Sequence, residues 1–214
     1  MEVLDELQQH VEMQLRNIMC VRLDISDALA QAVAHVEQLR AHSNNKYYMS
    51  TGEVDVFHTG IYTNLLYWLA REFYLHDGNG KRAEKIYYLN KVLNSVDIFY
   101  EVEMPSCWDV EHPLGSVMGR GKFGNYFFFY QGCTIGGSGA DYPVLGDHVT
   151  MLSNAKILGH AHIGNNVTLA ANAYVINCDV PDDSLVFPSG DGRYPIIVSR
   201  PHEEMVKRSA HIWR

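Results

Sequence analysis

The chain has 214 residues, 47% of them hydrophobic, and its 17 Lys and Arg stand against 25 Asp and Glu for a formal charge of −8. That balance disfavours nucleic acid and anionic membranes as general partners, because both recruit a basic face. No run approaches the ~18 apolar residues of a membrane helix, the acidic start (Glu2, Asp5, Glu6) is unlike a signal peptide, and the scattered Cys20, Cys107, Cys133 and Cys178 form no CxxC; a cytoplasmic protein with reduced thiols is expected.

Leu4, Leu7, Val11, Leu15 and Ile18 recur at three- and four-residue intervals and predict a helix with one apolar face over residues 3–20. Asp24 and Asp27 frame an acidic helix start, and Leu29, Val33, Val36 and Leu39 keep the helical period until HSNNK, from His42 to Lys46, breaks it. After a looser segment around Gly52, the apolar and aromatic run from Ile61 to Leu75 predicts another helix, which HDGNG at His76 to Gly80 stops. A last helix from Lys81 to Asn94 sets Ile86, Leu89 and Leu93 on one face. Tyr67, Trp68, Tyr87 and Tyr88 read as packing residues between helices, so residues 1–95 are expected to form an α-helical domain.

At Val96 the period changes. From Leu145 to Val180 the chain divides into six hexads, with Leu145, Met151, Ile157, Ile163, Leu169 and Val175 always first and the small or β-branched Val149, Ala155, Ala161, Val167 and Ala173 fifth. A six-residue period is the signature of a parallel β-helix. Three hexads make one triangular coil, which stacks Leu145 on Ile163, Met151 on Leu169 and Ile157 on Val175 inside the prism. Counting back from Ile135 gives Phe129, Phe123 and Val117, so the repeat begins upstream. Ile135 to Leu145 is ten residues, so four extra residues loop out within GGSGADYP, Gly136 to Pro143. Inserted loops on rigid scaffolds collect exposed amides and carry function. In YFFFY, Phe127 and Phe129 point inward, and the outward Tyr126, Phe128 and Tyr130 need cover from the helical domain or another subunit. Proline and glycine in VPDDSLVFPSG, Val180 to Gly190, end the coils, leaving a tail at 191–214.

Val96-Asp97-Ile98, Glu111-His112, Cys133-Thr134-Ile135-Gly136-Gly137 and Ala155-Lys156-Ile157-Leu158-Gly159 follow the order and nearly the spacing of motifs in the serine acetyltransferases, which the chain resembles from about Phe57 to Gly190. The resemblance implies an α+β chain, a helical domain followed by a left-handed parallel β-helix, and transfer of an acetyl group from acetyl-CoA to the hydroxyl of a small acceptor. It places the catalytic pair on Asp97 and His112, with His112 as general base and Asp97 orienting the imidazole. Their fifteen-residue separation is close to one coil, which could set them near one corner. Glu111, Asp141, Tyr142 and Arg120 are the candidate acceptor-binding residues. Gly136, Gly137, Ser138, Ala155, Lys156, Ala173 and Arg193 are the candidates for the cofactor, in a groove shared between subunits of a homotrimer or a dimer of trimers. Backbone amides near Gly136 and Gly137 would serve as oxyanion donors.

The chain departs from the family at two places. Where the family binds the acceptor's carboxylate with an Arg-His pair, this chain has Ala140-Asp141-Tyr142-Pro143, so the acceptor differs from serine or its carboxylate meets another group such as Arg120. Where the family has G-x-P-A over the cofactor, it has SGDGRYP, Ser189 to Pro195. Two other functions suit the prism: a sugar O-acetyltransferase, and a binding module with a dead site. A zinc hydratase of the γ-carbonic anhydrase type would need three histidines; His148, His160 and His162 are available, but no third stands beside His160 and His162 at that family's spacing, so no metal is expected.

Overall fold

The structure is a computed structural model and describes residues 2–49, 54–190 and 194–214. Gly52 and Arg193 lie outside the described residues. The chain is α+β: helices up to Asn94, then a left-handed parallel β-helix of about five coils. Among the described residues no helix is long and apolar enough to cross a membrane.

Helix α1 (Glu2–Met19) buries Leu7, Val11 and Leu15, while Leu4 and Ile18 at the ends of the expected stripe stay exposed. Asp24 accepts a hydrogen bond from the Ser26 amide and leads into α2 (Ser26–His42). Beyond the expected break comes one further turn, α3 (Lys46–Met49), which Asn45 starts by accepting from the Tyr47 amide. Helix α4 (Thr59–Asp77) begins where His58 Nδ1 accepts from the Ile61 amide and ends at Gly78 with φ 65°. Its residues from Gly60 to Ala70 are all buried, which is why its sequence shows no polar face. Helix α5 (Ala83–Asn94) is the last helix before the prism.

The prism has three faces. The first carries β1 (Asp97–Ile98), β3 (Val117–Met118), β5 (Thr134–Gly136), β8 (Lys156–Leu158) and β11 (Tyr174–Ile176). The second carries β2 (Trp108–Val110), β4 (Phe127–Phe129), β7 (Thr150–Met151), β10 (Thr168–Leu169) and β12 (Ser184–Phe187), on which β13 (Ile196–Ser199) pairs antiparallel. The third carries β6 (Val144–Leu145) and β9 (His162–Ile163). Leu145 pairs with Ile163, Met151 with Leu169 and Ile157 with Val175, as the hexads require, and Met151, Ile157, Leu169 and Val175 are fully buried.

Upstream the hexad count slips by one residue. Met118, not Val117, stacks on Ile135 and faces inward, and Val117 points to solvent. From Met118 to Ile135 is 17 residues rather than 18, and in a strand a one-residue shift exchanges the two faces.

The outward aromatics of the second face are covered by the chain's own tail. After β13, helix α6 (His202–Ser209) leads to Trp213, whose ring meets Tyr126 and Phe128 edge-on. Asn44 holds that return through side-chain hydrogen bonds to the carbonyls of Ala210 and Trp213. One continuous apolar cluster thus runs from α1 through the prism to Trp213.

Candidate functional site

Later coils turn from the second face to the first through four residues, 130–133, 152–155 and 170–173; the first coil uses six, 111–116. Each ordinary corner has one residue in the left-handed region, Gly132, Asn154 or Asn172, and Gly115 fills that place in the first corner. His112, at φ 55°, is a second left-handed residue in this longer corner, a backbone it shares with His148 at φ 57° in another. Histidine lacks glycine's freedom there, and such strain concentrates at functional sites. Its ring is exposed and makes no hydrogen bond among the described residues. His58, at the start of α4, lies within electrostatic reach: burial lowers its pKa, Asp55 and Glu111 oppose this, and His112 pushes the same way as burial.

Asp97 lies just past the same corner on the preceding coil, its amide bonded to the Ser116 carbonyl. A hydrogen bond from the His112 ring to the Asp97 carboxylate, as the orienting role implies, is not formed. Tyr87 Oη and Lys91 Nζ of α5 each donate to the Asp97 carboxylate at 2.7 Å, and Asp97 raises the Lys91 pKa in return. The last turns of α5 pack over β1, so the nearest cation meets the carboxylate first.

Beneath the corner, Asp109 points outward from β2 but is fully covered, and accepts hydrogen bonds from Tyr48 Oη at 2.5 Å and the Val110 amide at 2.7 Å. Burial pushes its pKa up to about 7, well above the ordinary 3.8. Beside it a cavity of about 210 Å³ is lined by Asn45, Lys46, Asp109, Glu111, Tyr130 and His211. Burial lifts the Tyr130 pKa to about 12, and the neighbouring Glu111 adds to this. Sequence reading missed Asp109, Tyr48, His58 and Lys91. Asp109 looks like an ordinary outward residue of a strand, and its cover comes from segments far away in the chain.

The second group lies at the looped corner between the first and third faces. Seven residues, 137–143, join β5 to β6, where three, 159–161, join β8 to β9, so four extra residues loop out as expected. The loop is closed rather than an open cradle of amides: Ser138 and Asp141 exchange both backbone hydrogen bonds around Gly139. A Cβ on Gly137 would lie 2.3 Å from the Tyr142 ring, so that ring covers the backbone expected to serve as oxyanion donor. Arg120 Nη1 donates to Tyr142 Oη at 3.2 Å, which gathers Arg120, Gly136, Gly137, Ser138, Asp141 and Tyr142 at one place.

Of the other cofactor candidates, Ala155 and Ala173 are fully buried and shape the corner from inside the prism, so neither lines a surface groove. Lys156 is half-buried on the first face, with Nζ 3.4 Å from the Gly132 carbonyl. Within one chain the two groups stand at opposite edges of the first face: His112 precedes β3 and Arg120 follows it.

No family model matches the chain. It is 35% identical over 104 residues to a serine acetyltransferase of Synechococcus elongatus, covering 46% of this chain and 42% of the relative. It is 29% identical over 149 residues to a serine acetyltransferase of Staphylococcus xylosus, covering 64% and 65%. The chain thus spans less than two thirds of either relative's length. Its fold is that of a solved serine acetyltransferase in complex with cysteine, with TM-score 0.71 and 20% identity over 92% of this chain and 85% of that one. A serine acetyltransferase in complex with CoA aligns with TM-score 0.65 and 20% identity over 81% of this chain and 71% of that one.

Proposed function

We propose that this homologue of serine acetyltransferases is an acetyl-CoA-dependent O-acetyltransferase acting on serine or a related small hydroxyl acceptor. The observation that carries the reading is the lengthened first corner, which presents an exposed, left-handed His112 next to Glu111 and just below Asp97. His112 removes the proton from the acceptor hydroxyl as that oxygen attacks the thioester carbonyl. The tetrahedral intermediate then collapses, the C–S bond breaks, and the sulfur leaves with the proton that His112 has taken. The products are the O-acetyl ester and CoA. Glu111 lines the cavity beside the corner and suits an acceptor's ammonium group, and Lys46 and His211, which also line it, offer hydrogen-bond donors to a carboxylate. That pocket answers the missing Arg-His pair.

A homotrimer completes the site. Val117, Tyr174 and Ile176 leave the first face partly apolar and uncovered, and the His112 corner and the looped corner flank it on opposite edges. A neighbouring copy packed on this face would set its looped corner, with Arg120 and Tyr142, against the His112 of the first. A sugar acceptor is the second reading, favoured by Asp141 and Tyr142 standing where a carboxylate clamp would be cationic.

The test is release of CoA thiol from acetyl-CoA with serine, homoserine, simple sugars and nucleotide sugars as acceptors. Stimulation by serine or homoserine supports the first reading, stimulation by sugars alone supports the second, and no stimulation by any of them ends both.

A further inference from the structure

At the corner that follows β8, one coil beyond the looped corner, His160 and His162 project from the same edge with ring centroids 4.9 Å apart and ring planes near perpendicular. The next coil brings up Asp179, whose Oδ1 accepts from the His162 amide at 3.0 Å and lies 3.1 Å from His162 Nδ1. Asn177, two residues earlier, accepts from the His160 amide at 2.9 Å. Side chains of one coil thus pin the backbone of both histidines on the other. One potential ligand atom from each of His160, His162 and Asp179 lies within 4.8 Å of the others, and all three side chains are exposed.

We propose that His160, His162 and Asp179 bind one divalent late first-row transition-metal ion of the zinc type. Two imidazoles and one carboxylate are the donors such ions select, whereas calcium and magnesium prefer all-oxygen sites. The 3.1 Å edge between His162 Nδ1 and Asp179 Oδ1 accommodates an ion about 2.1 Å from each. His160 is exposed and closes on the ion by rotating its side chain. Three protein ligands would leave a fourth position open, and two of them, His162 and Asp179, line a groove of about 510 Å³ along the third face that also includes Gly146 and Gly164. Sequence reading stopped at the two histidines because the third ligand is an aspartate 17 residues on. The site is independent of the acetyl-transfer reading.

The experiment is calorimetric titration of the untagged full chain, stripped with chelator, with zinc alone and separately with magnesium. Cobalt absorption reports the geometry, and melting temperature is followed with and without zinc. Expected are one zinc per chain, no magnesium binding, at least about a tenfold loss of affinity in each of His160→Ala, His162→Ala and Asp179→Asn, and a zinc-dependent rise in melting temperature that the double histidine variant lacks. His76→Ala, on the far end of α4, is the control and binds as the wild type does. Absence of saturable zinc binding in the wild type, or unchanged affinity in folded His162→Ala, would overturn the site. Equal melting temperatures of the stripped variants and wild type establish that the exposed substitutions leave the fold intact.

Discussion

His112 combines solvent access, a left-handed backbone and a place in the one corner that is two residues too long. His112→Ala is therefore expected to lower turnover by at least about two orders of magnitude with acetyl-CoA affinity nearly intact, the usual scale for a general base. Thiol release and a direct binding titration check the two halves of that statement. Asp97→Asn is expected to cost less, because Lys91 and Tyr87, not His112, hold the carboxylate. A loss as large as that of His112→Ala would mean that Asp97 leaves Lys91 for the imidazole during turnover. Asp109 gives a pH signature. Its pKa is raised on folding from 3.8 to about 7, so the folded state holds the proton more tightly and loses stability as pH rises between those values. Denaturant unfolding of wild type and Asp109→Asn across pH 4 to 8 is expected to show the variant gaining on the wild type through that window, by up to on the order of 4 kcal/mol. A pH-independent difference would place the ionisable form of Asp109 in water. That Asp97 and His112 fall at one corner on adjacent coils was legible from their fifteen-residue separation; the burial of Asp109 was not, since it depends on Tyr48, far away in the chain.

At the scale of elements, the hexads specified the stacking from Leu145 onward because every inward position there is apolar and every coil repeats the same length. The prediction failed at β3, where one missing residue moves Met118 inward in place of Val117. Both residues are apolar, so composition could not reveal the slip. The tail was unreadable for a different reason: α6 is short and polar, and its value lies in what Trp213 covers. Trp213 is 2% exposed, and Trp213→Ala is expected to cost about 3–5 kcal/mol. Denaturant unfolding with an unchanged slope checks this, and a loss under about 1 kcal/mol would show that the second face does not depend on the tail.

For the whole molecule, the helical domain and tail cover the second face, while the first keeps Val117, Tyr174 and Ile176 open to solvent. Sedimentation is expected to give about three times the 24.3 kDa chain mass. The double variant Tyr174→Asp, Ile176→Asp is expected to sediment as a monomer and to lose turnover along with assembly, because the two halves of the site then no longer meet. An active monomer would contradict the shared site. The sequence left the cover of the aromatic second face to the helical segments or another subunit; Trp213 of the chain's own tail meets Tyr126 and Phe128 there.

The most direct measurement is acetyl-CoA thiol release by the full chain with serine, homoserine, simple sugars and nucleotide sugars, run in parallel on wild type and His112→Ala. The account predicts stimulation by a small hydroxyl acceptor in the wild type, formation of its O-acetyl ester, and loss of both in the variant. Thiol release unaffected by every acceptor, or an ester formed equally well without His112, would contradict it.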